Sequence, residues 1–430
     1  MSVRTWIGGA AAVAQVTDWL FGGTWEATDV VNVTIGTRTV SVVAGSITIT
    51  TIVDTVFAAL NASTLPEFEE ITWSRSSNSL RGTADTAGVP FSATVSTTET
   101  GGGAADSQTI DGTTTSTGTD STACTGPNHA NNAQNWSGAA LPVNSDTIVF
   151  SDSDVDCSYG LDGLTSLTGV TLKQFKSFTG QLGLPPYNAA GNYAEYRDRY
   201  LELTGGTGEL GIGDGPSSPR FMVDFQATAF TVICYDSGPP DQGEEVATFL
   251  KGTHTSNVLT VNKGRVGLAV YPGEASALAT LNVGFREDPA GDSFVVCGAG
   301  VTALTTINQS GGTARTETNS TTLNMTDGEH IRRGTSTLTT LNLDNGAVRY
   351  NSSGTLSTAN VGSGGVLDMR QDSRTVTITQ LNLYEQGAFH DPAGRATLTG
   401  NGVDFIRCAP GDRNVTFEVK PHQTWTPSAI

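Results

Sequence analysis

In the last two fifths of the chain, short runs of alternating apolar and polar residues keep closing on one phrase: an apolar residue, an asparagine and a third residue that is usually apolar. The phrase occurs as Leu281-Asn282-Val283, Ile307-Asn308-Gln309, Leu323-Asn324-Met325, Leu341-Asn342-Leu343, Ala359-Asn360-Val361 and Leu381-Asn382-Leu383. Its asparagines are spaced by 26, 16, 18, 18 and 22 residues (308−282, 324−308, 342−324, 360−342, 382−360). Alternation predicts strands, and a period near twenty filled with β-formers and glycine fits one coil of a parallel β-solenoid. Successive coils would lie about 4.8 Å apart, so equivalent side chains would stack in columns. Asn282, Asn308, Asn324, Asn342, Asn360 and Asn382 are then expected to form an inward structural column whose amides chain together at the corners. The competing reading is that Asn and Gly simply end strands in any β protein. Gly-led second runs at Gly346–Tyr350, Gly365–Met369 and Gly387–His390 favour the solenoid.

The first hundred residues carry a different pattern. Val31, Val33 and Ile35 alternate with polar residues, Gly36-Thr37 turns the chain, and Val40 and Val42 return it as a hairpin. Ile52, Val53, Val56, Phe57 and Leu60 fall on one helical stripe that stops before Pro66. Further strands are expected over 71–74, 80–83 and 91–95. The predicted fold class is mainly β, a small N-terminal α+β domain followed by a parallel β-helix. Its boundaries are 1–100 for an α+β anchor domain, 101–131 for a Gly/Thr/Ser-rich linker, and 132–430 for a β-solenoid with a C-terminal cap. The linker rests on Gly101-Gly102-Gly103 and Thr113-Thr114-Thr115, whose side chains offer little to a core.

Charge narrows the function classes. Forty-two acids against 23 bases leave a net charge of −19, which disfavours a coat for nucleic acid or a ligand of anionic lipid. Arg4 and the run Trp6–Ala14 faintly resemble a secretory segment, but Gln15 and Asp18 interrupt it, and no apolar run approaches a membrane span. The expectation is a mature protein made in the cytoplasm, with no nucleic-acid and no membrane partner.

Candidate chemistry is sparse. Asp152, Asp154 and Asp156 alternate as at the start of a calcium loop, but Cys157 stands where that loop needs glycine and Gly163 where it needs an acid. An acidic turn is the better reading. Cys124, Cys157, Cys234, Cys297 and Cys408 lack paired spacing, and His129, His254, His330, His390 and His422 lack a zinc pattern. Asp368, Glu385 and Asp391 are near enough in repeat phase to be considered as a glycan-cleaving carboxylate pair. Tyr193, Tyr196 and Tyr200 with Arg197 and Arg199 suggest a sugar-stacking or subunit-contact patch, against ordinary packing. Trp6, Trp19 and Trp25 are candidate anchor contacts, with the core of a small domain as the equal alternative. No catalytic, cofactor or metal residue is expected.

Leu60-Asn61-Ala62-Ser63, Pro66–Thr72 and Thr83–Phe91 together resemble a small domain of tailed-bacteriophage structural proteins. Asn135-Trp136-Ser137-Gly138 through Phe150 and the Leu-Asn phrases look like the β-solenoid bodies attached to such domains in phage and prophage proteins. The resemblance covers most of the chain and includes no catalytic signature. It implies a non-enzymatic virion protein, a capsid decoration or fibre that anchors by its front domain, contacts other virion proteins and forms a homo-oligomer such as a trimer. The alternative is a tailspike that binds or cleaves host surface polysaccharide.

Overall fold

The Leu-Asn-Leu phrases pair with one another in parallel and in register. Leu281, Ile307, Leu323, Leu341, Ala359, Leu381 and Val403 are matched residue for residue from strand to strand, and all are buried. The same ladder continues upstream through Leu259, Val232, Gly208, Leu172 and Ile148. A second parallel ladder runs beside it, from Leu201–Glu202 through Phe221–Asp224, Thr248–Lys251, Gly264–Leu268 and Ser293–Cys297. It goes on through 313–316, 329–334, Gly346–Ser352, Gly365–Asp368 and Ala388–Asp391 to Thr416–Val419. The protein is thus mainly β, with a long parallel sheet of many strands around one continuous apolar core. This computed structural model describes residues 2–101, 107–165, 167–284, 293–362, 364–371, 373–406 and 416–419; Cys408 and His422 lie outside them.

Two sequence boundaries need correction. Val3–Thr5 is the first strand of the parallel sheet, paired with Thr147–Phe150, so the α+β domain is an insertion into the stack. The residues predicted to be a linker are largely part of that insertion. Thr109–Ile110 and Thr119–Thr122 pair with Val16–Gly22, and Thr115–Ser116 pairs with Ala93–Thr98. Thr-rich strands bury little by themselves and gain their order from neighbouring strand edges.

The inserted domain otherwise follows its pattern. Val30–Ile35 and Arg38–Val43 form the hairpin, Ile49–Asn61 is the helix, and Ile71–Ser76 pairs with Ser79–Ala84. Trp19 and Trp25, 0% and 2% exposed, sit in its core with Phe21, Ile52, Val56 and Trp73. Trp6 is also fully buried but belongs to the other core, edge-on to Trp136 with ring centres 5.2 Å apart. None of the three indoles is available as an anchor contact.

The Asn135-Trp136-Ser137 motif closes the insertion. The Asn135 side chain accepts from Ala10 N at 2.7 Å and donates to Gly126 O and His129 O at 2.8 Å each, tying the outgoing chain to the returning one. Trp136 enters the core, and Ser137 Oγ accepts from Thr5 N at 3.0 Å.

One polar network interrupts the apolar interior. His330 donates through Nδ1 to Gln309 Oε1 at 3.0 Å, which leaves Nε2 to accept from Thr316 Oγ1 at 3.0 Å. Burial, and then the charge of Arg332, pull this imidazole down to about 3. Above pH 6.5 the ring is neutral in both folded and unfolded chains. As pH falls from there towards 3, the unfolded chain takes up a proton that the folded one refuses. Stability should therefore drop by about 1.4 kcal/mol per pH unit, or about 2 kcal/mol by pH 5. Urea titrations at pH 7 and 5 should show that loss in the native protein and a smaller one in His330→Gln. An equal loss in both would remove His330 as the cause.

Candidate functional site

The asparagines of the repeated phrase stack as expected, but on the opposite face. Because alternate residues of a strand point to opposite sides, burial of Leu281 and Val283 turns Asn282 outward, and the same holds at each later repeat. Asn308 donates to Asn282 Oδ1 at 3.0 Å, Asn324 to Asn308 at 3.0 Å, Asn342 to Asn324 at 2.8 Å, Asn360 to Asn342 at 2.8 Å and Asn382 to Asn360 at 2.7 Å. Asn282 itself donates to Thr260 Oγ1 at 3.1 Å, and Gln380 donates to Asn382 Oδ1 at 2.9 Å, so both ends of the chain of amides are closed. The expected inward column is therefore a half-buried outward ladder. Each amide is covered by its neighbours above and below.

A second column, which the sequence reading missed, lies two residues before the first. Thr280, Thr306, Thr322, Thr340 and Thr358 are in register, and beyond Val258 the same position is held by Thr231, Thr207, Thr171 and Thr147. The recurring Thr-x-Asn spacing was the available signal. Together the columns make a neutral face of hydroxyls and amides repeating at about 4.8 Å along the stack. It can hydrogen-bond on a regular lattice, and the Asn column continues in register to the Asp404 carboxylate at one end. Asn342→Ala would leave Asn360 Nδ2 and Asn324 Oδ1 to water, so a loss of only about 1 kcal/mol is expected in chemical denaturation. A loss above about 3 kcal/mol would mean that the column is interior after all.

The Tyr/Arg patch is packed within the chain. It joins the inserted domain to the parallel stack. Arg197 donates to Glu70 Oε2 at 2.8 Å, Glu195 Oε1 at 3.1 Å and Pro90 O at 2.7 Å, and its guanidinium lies 4.5 Å from the centre of the Tyr196 ring. Tyr193 OH donates to Glu70 Oε1 at 2.6 Å, and burial pushes the phenols of Tyr193 and Tyr196 up. Gly36, at φ +56° in the hairpin turn, packs against Tyr196, where an added Cβ would lie 2.8 Å from the Tyr196 Cβ. Arg197→Ala is expected to cost about 2 kcal/mol, the scale of a charge-assisted hydrogen bond, and to raise amide exchange over 86–91. Unchanged exchange there would show that Arg197 does not hold the junction.

Nearby, Tyr200 OH donates to Glu274 Oε1 at 2.8 Å, and the Arg199 guanidinium lies over the Tyr271 ring at 4.6 Å. These contacts also join parts of one chain.

Several of the remaining candidates make structural contacts, whereas Glu385 is exposed. Asp156 accepts from Gln181 N at 2.8 Å, and among the described residues the 152–156 acids do not bring three ligand oxygens together. Asp368 is chelated by Arg370 at 2.9 Å through both oxygens, and Asp391 accepts from Arg395 N and Ala396 N at 2.8 Å each. Cys157, Cys234 and Cys297 are buried thiols, pushed up by burial, and Cys124 contacts His129 Nε2 at 3.7 Å. No helix among the described residues is long and apolar enough to cross a membrane. Comparison with protein-family models, curated proteins and solved structures returns no match for this chain.

Proposed function

We propose that this protein is a non-enzymatic structural component of a bacteriophage or prophage virion, a capsid decoration or fibre-like appendage, in which the two parallel ladders are faces of a β-solenoid. The observation that carries the reading is the continuous parallel pairing from Val3–Thr5 to Ala396–Ile406, in register but for local bulges near Gln174, Ser310 and Ile378. The longer ladder has thirteen described strands, and twelve spacings of about 4.8 Å give a rod of about 58 Å. Stacking of this kind pairs every strand except those at the two ends, which suits a projecting part that must not aggregate along its sides. The inserted domain sits at the first strands, so it is the end suited to anchoring. With the tryptophans buried, its exposed apolar residues Leu20, Val43 and Ile47 are the better contacts for another virion protein. Homo-oligomerisation, as a trimer, belongs to the same proposal, as does the virion as its location.

Mass spectrometry of purified particles and gold-labelled antibody against the chain test this directly. The expected result is labelling at regular sites on the head or tail. Absence of the chain from purified particles would overturn the proposal. Release of oligosaccharide from host glycans would replace it with the tailspike reading.

A further inference from the structure

Three acids of the inserted domain converge where its strands begin and end. Glu26 and Asp29 lie in the turn that enters Val30–Ile35, and Glu99 follows Ala93–Thr98, the antiparallel partner of that strand, in which Thr98 faces Val30. One carboxylate oxygen from each lies within 4.8 Å of the other two. Acids gather on many surfaces without consequence. Here a second observation singles the cluster out. Asp29 is 0% exposed, its Oδ2 accepts from Glu26 N at 2.7 Å, and its Oδ1 is buried without a hydrogen-bond partner. A buried carboxylate oxygen without a partner is costly, and among the described residues neither Glu26 nor Asp29 makes an ion pair that would offset it. Gly101 donates its N–H to Glu99 Oε1 at 2.7 Å and leaves room for Glu26, since a Cβ at that position would collide with Glu26 Oε2.

We propose that Glu26, Asp29 and Glu99 bind one calcium ion. The ligands are all hard oxygens, which selects a calcium- or magnesium-type cation over a thiophilic metal. Calcium holds its oxygens at about 2.4 Å, so two oxygens across one ion stand up to about 4.8 Å apart, the limit within which these three lie. Magnesium, at about 2.1 Å, demands a near-ideal octahedron and keeps several waters, which suits an irregular group of three carboxylates less well. The ion satisfies Asp29 Oδ1, cancels the mutual repulsion of the carboxylates, and ties the entry of one strand to the exit of its neighbour. This site is independent of the virion proposal.

The test uses the full chain, stripped with chelator and desalted, and titrated calorimetrically with calcium chloride alone. One calcium per chain is expected, with a rise in the unfolding temperature. Asp29→Asn and Glu99→Gln, each shown to be folded by circular dichroism, should bind at least about tenfold more weakly, because ligand charge sets affinity in such sites. No heat and no stabilisation in the native chain would overturn the site. So would calcium binding that both variants retain undiminished. Tighter binding of magnesium chloride than of calcium chloride would overturn the choice of ion.

Discussion

Arg332→Ala is expected to lower stability by about 4 kcal/mol, the largest loss anticipated from any buried polar side chain of the parallel stack. The guanidinium is fully buried and donates to Ser320 Oγ at 2.9 Å, Thr318 O at 2.9 Å and Thr337 O at 2.8 Å. Truncation strands two backbone carbonyls, each worth about 1–3 kcal/mol when unsatisfied, and leaves a cavity that the surrounding strands cannot close. An opposing effect limits the loss. Arg332 makes no ion pair among the described residues, and burial pulls its pKa down, so deleting the charge also removes a desolvation cost. Arg332→Met, which keeps volume and removes charge, should therefore be milder than alanine. Urea denaturation of the two variants decides the matter. If alanine costs less than about 1 kcal/mol, the guanidinium does not organise this part of the core.

Trp6→Ala is expected to cost about 3–5 kcal/mol, the usual range for emptying a large aromatic site. Trp6 closes the end of the long core against Trp136 and Phe150, with ring centres 5.2 and 6.1 Å away, and its Nε1 donates to Val155 O at 2.9 Å. Loss of the ring also frees Val3–Thr5 from Thr147–Phe150, the pairing on which closure of the insertion depends. The thermal midpoint of the isolated protein should fall, whatever partners it has. A Trp6→Ala protein as stable as the native chain but defective in assembly would restore the indole as an exposed contact.

Much of this was readable from local patterns. The period near twenty, the Leu-Asn-Leu alternation, the hairpin around Gly36 and the helix over Ile49–Asn61 each depend on residues within a turn or a strand of one another. Even the outward direction of the asparagines was implicit, because a residue between two buried neighbours on a strand must face away from them. Amides can chain on either face of a sheet, and alternation sets which face they take.

The chain by itself determined the repeat, the identity of the stacking columns and the kind of small domain at the front. Only the tertiary structure decided that Val3–Thr5 joins Thr147–Phe150, that Thr109–Thr122 completes the inserted domain, and that Arg197 clamps the two parts together. Acids from residues 26, 29 and 99 likewise meet only in three dimensions. The reason is physical: a strand edge or a charge states what kind of partner it needs but not where along the sequence that partner lies. Over separations of about seventy residues or more, the choice belongs to packing.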